Sequence, residues 1–154
     1  MRDVYTRTFA VPETAIDFNG HANNVEYLRW MQDTALAHST HRGWGVARYL
    51  ECDHSWVVRS QHIEYLRPAF AGQALRLHTW IVGFEGSQSR RQYLIECVKT
   101  GKAVARGESL FVCVDTVRGR PRAVSSDFVS DFDTVPDEAA ALTIIERRDS
   151  APPA

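Results

Sequence analysis

From residue 54 onward the chain reads as extended runs joined by links too short for anything but antiparallel pairing. The runs are residues 54–67, 74–84, 91–99 and 103–115. Between them lie Ala71-Gly72, Gly83 to Gly86, and Thr100-Gly101-Lys102, all with turn chemistry. A parallel neighbour would need a crossover of about a dozen residues or more, and no such length is present. Ahead of these runs, residues 4–12 alternate as a first strand closed by Pro12. Residues 24–42 have a helical period instead, with Leu28, Met31, Ala35 and Leu36 on one face and Glu26, Arg29 and Asp33 opposite. Asn23 or Asn24 suits the N-cap, and Gly43 suits the stop. The expected order is strand, long helix, four strands. This is an α+β domain whose five-stranded antiparallel sheet must bury the helix against one face. The other face is either solvated or covered by a partner.

The 154 residues, 44% hydrophobic and 24% charged, suit one soluble domain with a real core. Residues 1–133 are expected to form it. Residues 124–132 read as a short helix or loop, and residues 134–154 as a partly flexible C-terminal tail. A formal net charge of −1 argues against nucleic acid or an anionic membrane as the main partner. No apolar run approaches the roughly 20 residues that span a bilayer. The N-terminus, Met1-Arg2-Asp3-Val4-Tyr5-Thr6-Arg7, lacks an apolar signal core, so a cytoplasmic location is expected. Cys52, Cys97 and Cys113 are odd in number and widely spaced, as reduced thiols would be.

The chemistry concentrates in Ile16-Asp17-Phe18-Asn19-Gly20-His21-Ala22-Asn23-Asn24, which sets a carboxylate on a Gly-containing turn just before the helix. A helix N-terminus offers unpaired N–H groups and partial positive charge, so it stabilises an anion. A carboxylate facing such donors is most of an acyl-transfer site. The plainer readings are local. Asp17 can brace a turn, His21 can hydrogen-bond its own loop, and Asn23 and Asn24 can cap the helix.

The motif and element order resemble the hotdog-fold acyl-CoA thioesterases, in particular the 4-hydroxybenzoyl-CoA thioesterase-like branch. That branch carries Asp-x-x-Gly-His-x-Asn-Asn-x-x-Tyr-Leu leading into its central helix, here Asp17 to Leu28. Ile63-Glu64-Tyr65-Leu66-Arg67-Pro68-Ala69-Phe70-Ala71-Gly72 and Asp115-Thr116-Val117-Arg118-Gly119-Arg120-Pro121 match two further blocks. The resemblance implies a hotdog fold, with the sheet wrapped around one long central helix. It implies that Asp17 is the nucleophile or general base and that the backbone N–H of Asn24 is the oxyanion donor. His21, Asn23 and Tyr27 are carried over as substrate-binding residues. It further implies an acyl-CoA substrate, no bound cofactor, and a homodimer or dimer of dimers with sheets joined edge to edge and the acyl pocket between subunits.

Two departures stand out. Ala15 replaces a second Asp found in many members. The turn Glu85-Gly86-Ser87 lacks the basic cluster that some aromatic-acyl members use for CoA phosphates, with Arg90 and Arg91 displaced into the next strand. Other chemistries have weaker support. His38-Ser39-Thr40-His41 and Cys52-Asp53-His54 lack zinc spacing, and no nucleophile elbow, P-loop or dinucleotide fingerprint is present. Glu64 reads as an ordinary strand residue. Trp30, Trp44, Trp56 and Trp80 read as core or interface, although two of them meeting in a pocket would cage a cation. Two rival functions remain open. One is an acyl-carrier-protein thioesterase, which a basic rim of Arg59, Arg67, Arg90 and Arg91 would favour. The other is a non-catalytic acyl-CoA-binding dimer.

Overall fold

A computed structural model describes residues 3–152. Met1, Arg2, Pro153 and Ala154 lie outside the described residues, and with them the outermost parts of the expected leader-free N-terminus and C-terminal tail. Strand β1 (Val4–Ala10) leads through a short 3-10 turn to helix α1 (Asn24–His41) and the shorter α2 (Val46–Glu51). Strands β2 (His54–Tyr65), β3 (Ala74–Glu85), β4 (Gln88–Cys97) and β5 (Ala103–Asp115) follow. A two-residue strand β6 (Arg120–Pro121) and helices α3 (Ser126–Ser130) and α4 (Glu138–Ser150) complete the chain. The sheet runs β1-β3-β4-β5-β2, antiparallel throughout, with β6 added on β5.

The short links do what their composition dictates. Glu85 pairs with Gln88 across Gly86-Ser87, and Gly86 has φ +60° at the first central position of the turn. Gly there relieves the strain a side chain would bring. The hairpin closes earlier than the sequence suggested, so the polar residues Gln88, Ser89 and Arg90 belong to β4.

Helix α1 buries Tyr27, Trp30, Met31, Thr34, Ala35 and His38, the i, i+3, i+4, i+7 pattern of one face. Tyr27, Trp30, Met31 and Ala35 pack on Leu75, Leu77, Tyr93, Ile95 and Ala105. The stripe is rotated from the expected one: Leu36 stays exposed, and Thr34 is fully buried. Thr34 tolerates burial because its hydroxyl donates to the carbonyl of Trp30 at 2.7 Å. The helix passes closest to the sheet at Gly107, where an added Cβ would lie 2.9 Å from Sδ of Met31.

Part of the opposite face of the sheet is covered by the chain itself, while His62, Glu64 and Arg90 farther along the sheet stay exposed. The segment expected to be a partly flexible tail holds α4, and α1 is not the only substantial helix. Asp137 caps α4, accepting from the N–H of Ala140 at 2.8 Å. Ala141 and Ile145 then join Val4, Trp80, Leu94 and Val135 in a second core. Arg148 donates to Thr6 Oγ1 at 2.9 Å, and Thr6 meets His78 Nδ1 at 2.7 Å. The apolar face of α4 is thin, because Glu146, Arg147, Arg148 and Asp149 dominate its second half. A third cluster, Trp44, Ile81, Phe128 and Phe132, closes the C-terminal end of α1. Among the described residues no helix is long and apolar enough to cross a membrane.

Candidate active site

The loop before α1 folds back on itself. Ile16 bridges Ala22, the N–H of Asp17 donates to the carbonyl of His21 at 3.1 Å, and Gly20 turns the chain at φ +83°. The N–H of Ala22 donates to the carbonyl of Ala69 at 2.8 Å, tying the loop to the segment between β2 and β3. Asp17 therefore sits at the base of a small hairpin whose other arm runs directly into the helix. Its Oδ1 accepts from the N–H of Asn19 at 2.9 Å. The bracing role and a chemical role are thus compatible, since one oxygen secures the turn.

Asn23 is the N-cap, with Oδ1 accepting from the N–H of Val25 at 2.9 Å and its carbonyl accepting from the N–H of Glu26 at 3.0 Å. In the first turn this leaves the N–H of Asn24 without an acceptor among the described residues. On its other side Asn24 is held by Tyr65, whose hydroxyl donates to the Asn24 carbonyl at 2.9 Å. His21 stands edge-on to Phe70, 6.4 Å between ring centroids. Tyr27 is 3% exposed and packs against Trp30 and Tyr65, so in this chain it belongs to the core beneath the loop. Burial pushes its phenol above the ordinary range, with the Ala69 backbone and Tyr65 as smaller influences. The structure thus brings Asp17, His21, Asn23 and Asn24 together and sets Tyr27 behind them.

A cavity of about 400 Å³ lies at the opposite end of α1, within the range of small-molecule pockets. Tyr49, His54, Trp56, Phe111 and Phe128 line it, with Arg91 on the floor. His54 is 2% exposed, and its Nε2 is buried without a hydrogen-bond partner. Burial, helped by the charge of Arg122, lowers its pKa to about 4, so the ring is neutral. Of the four tryptophans only Trp56 reaches the cavity. Trp44 is buried below it, bonded to Asp131 Oδ2 at 2.8 Å and covered by the guanidinium of Arg48, 3.6 Å from the ring centroid. Two tryptophans therefore do not meet as a cage.

Of the four arginines expected to form a basic rim, Arg59 and Arg67 are exposed, while Arg90 and Arg91 are engaged elsewhere. Arg90 is paired with Glu108 at 2.9 Å, and Arg67 donates to the carbonyl of Ala103 at 2.6 Å. Arg91 is buried beneath α1, with Nη1 bonded to His38 Nδ1 at 2.9 Å and Thr79 Oγ1 at 3.0 Å. Sequence reasoning missed it as a cavity residue because a strand Arg is assumed to face water. The signal was there: Arg91 sits two residues from both Ser89 and Tyr93, on the face toward the helix.

Residues 11–140 match the family model described as the thioesterase-like superfamily. The chain belongs to that superfamily. Among its relatives, an L-carnitine dehydrogenase/betainyl-CoA thioesterase from Agrobacterium fabrum is 31% identical over 109 residues, covering 71% of this chain and 22% of the relative. A chloroplastic dodecanoyl-[acyl-carrier-protein] hydrolase from Umbellularia californica is 29% identical over 141 residues, covering 88% of this chain and 34% of the relative. The chain thus spans about a fifth to a third of the length of these curated relatives. A Staphylococcus aureus protein solved in complex with CoA superposes with a TM-score of 0.81 at 14% identity, covering 92% of this chain and 93% of that one. The hotdog architecture and superfamily membership implied by the motifs are borne out.

Proposed function

We propose that this member of the thioesterase-like superfamily hydrolyses acyl-CoA thioesters to a free acid and CoA. One observation carries the reading: the N–H of Asn24, at the positive end of α1, has no acceptor among the described residues and follows directly on the hairpin that carries Asp17. Asp17 attacks the thioester carbonyl itself or takes a proton from the attacking water. In either case the carbonyl oxygen gains negative charge, which the Asn24 N–H and the helix end stabilise. One such donor is worth about 3 kcal/mol. Collapse breaks the C–S bond and expels the CoA thiolate, which then takes up a proton. If Asp17 attacks directly, water then cleaves the anhydride. The bond from the Glu26 N–H to the Asn23 carbonyl supports the site by fixing the peptide that carries the Asn24 N–H, and the Tyr65 bond to the Asn24 carbonyl steadies the peptide after it.

The carboxylate and the cavity lie at opposite ends of α1, which supports a shared site. Strand β2 is an edge of the sheet, running from His54 beside the cavity to Tyr65 beside Asn24. Antiparallel pairing of two copies along this edge sets the Asn24 end of each against the cavity end of the other. Val25, Leu36, Leu50 and Val57 are exposed apolar side chains along α1, α2 and β2, as an interface requires. Each site then takes Asp17 and Asn24 from one copy and its acyl pocket from the partner.

CoA is favoured over a carrier protein because the expected basic rim is reduced to Arg59 and Arg67, with Arg91 buried and Arg90 paired with Glu108. Thiol release from the same acyl chain on CoA and on acyl carrier protein tests this, with the CoA substrate expected to turn over faster. Binding of acyl-CoA without thiol release across a panel of short, long, aromatic and hydroxylated chains would instead identify a non-catalytic binding domain.

A further inference from the structure

Arg91 is the only Asp, Glu, Lys or Arg side chain among the residues lining the cavity. It is 5% exposed, and no carboxylate lies within ion-pair distance of it among the described residues. A buried cation without a counter-charge costs several kcal/mol and is ordinarily retained only where something compensates it. The neighbouring phenols do not: burial pushes both Tyr49 and Tyr93 above the usual range, so both are neutral. His54 adds an unpartnered polar nitrogen to the same lining.

Guanidinium can only donate, so His38 Nδ1 accepts from Nη1, as does Thr79 Oγ1. These two bonds fix the plane of the fork. Nε and Nη2 have no partner among the described residues. A planar fork held in this way suits bidentate recognition of a carboxylate.

We propose that this cavity receives an acyl group whose far end carries a carboxylate, with the guanidinium of Arg91 as its anchor. The reading of the cavity as the acyl pocket rests on the thioesterase function proposed above. The aromatic walls take the methylene chain, and the anion supplies the charge that the protein lacks there. The same unpaired cation opposes a positively charged acyl group such as betainyl, whatever attraction the rings provide.

Turnover and binding are measured separately. Thiol release is compared for the chain-matched adipoyl-CoA and hexanoyl-CoA, and for betainyl-CoA. Calorimetry compares uncleavable CoA thioethers ending in carboxylate or methyl. The wild-type protein is expected to favour the carboxylate-ended member of each pair by about tenfold or more. Arg91→Met should bring both ratios close to one, and Arg91→Lys should fall between because a point charge replaces the fork. Equal or reversed wild-type ratios, or ratios unmoved in Arg91→Met, overturn the proposal. The wild-type ratio decides alone if the variant does not fold. A carboxylate preference in thioether binding without thiol release from any substrate would refute the thioesterase reading and sustain the anion-binding pocket. Thiol release without preference would do the reverse.

Discussion

The phenol of Tyr65 donates to the carbonyl of Asn24 at 2.9 Å, joining the end of an edge strand to the first residue of the central helix. The peptide that follows Asn24 is thereby held from the sheet, and the peptide that carries the Asn24 N–H is held next to it through the Asn23 carbonyl, which accepts from the N–H of Glu26. Tyr65→Phe removes the hydroxyl and keeps the ring that packs edge-on against Tyr27. We expect a fall in kcat of about threefold to tenfold, as for a lost positioning bond, with a melting temperature within a few degrees of wild type. Steady-state thiol release and a thermal melt check both.

A site shared between copies makes a prediction about mixtures. Asp17→Asn and Ser89→Phe, the second placed to fill the cavity, should each be nearly inactive. Co-expression forms dimers in which one of the two sites has an intact Asp17 and an open cavity. With random pairing, activity should return to about a quarter of wild type. No recovery in purified mixed dimers would place the whole site within one chain.

Gly107 lets α1 approach the sheet. A Cβ there would meet Sδ and Cε of Met31 at 2.9 Å and the carbonyl oxygen of His62 at 3.1 Å. Met31 is fully buried, so its side chain has little room to move away. Gly107→Val should destabilise the protein by about 1–3 kcal/mol through overpacking, measured by denaturant titration. Combining it with Met31→Ala should cost less than the sum of the two single changes.

His54 gives stability a defined pH dependence. Burial, with the Arg122 charge second, holds its pKa at about 4, below the ordinary 6.5. Between those values the unfolded chain binds a proton that the folded protein refuses, so stability falls as pH drops from about 6.5 to about 4. Below that range this group adds no further slope. His78, also lowered chiefly by burial, acts in the same direction. His54→Phe should therefore flatten the fall in melting temperature only in part, measured from pH 7 down to pH 4.

What was legible in the sequence follows from how local its cause is. Asn23 as cap, Gly20 at a positive φ and the short links between strands are decided by neighbours within a few residues. They announced the loop, the start of α1 and the antiparallel sheet. Helix α4 was hidden because two residues, Ala141 and Ile145, supply its fully buried contacts, and polar ties from Arg148 and Arg106 supplement them. Arg91 was hidden for a different reason. Its inward direction follows from the register set at Gly86-Ser87, and its importance from a cavity built by residues as distant in sequence as Ser39 and Phe128.

The central claim is that Asp17 and the helix end cleave a thioester together, and Asp17→Asn tests it most directly. The substitution keeps an acceptor oxygen for the N–H of Asn19, so the hairpin should stand and the melting temperature should stay within a few degrees. Measured as thiol release on the best acyl-CoA substrate, kcat should fall by several hundred-fold or more, on the order of losing a principal catalytic group. A folded Asp17→Asn protein that retains wild-type turnover would contradict the account.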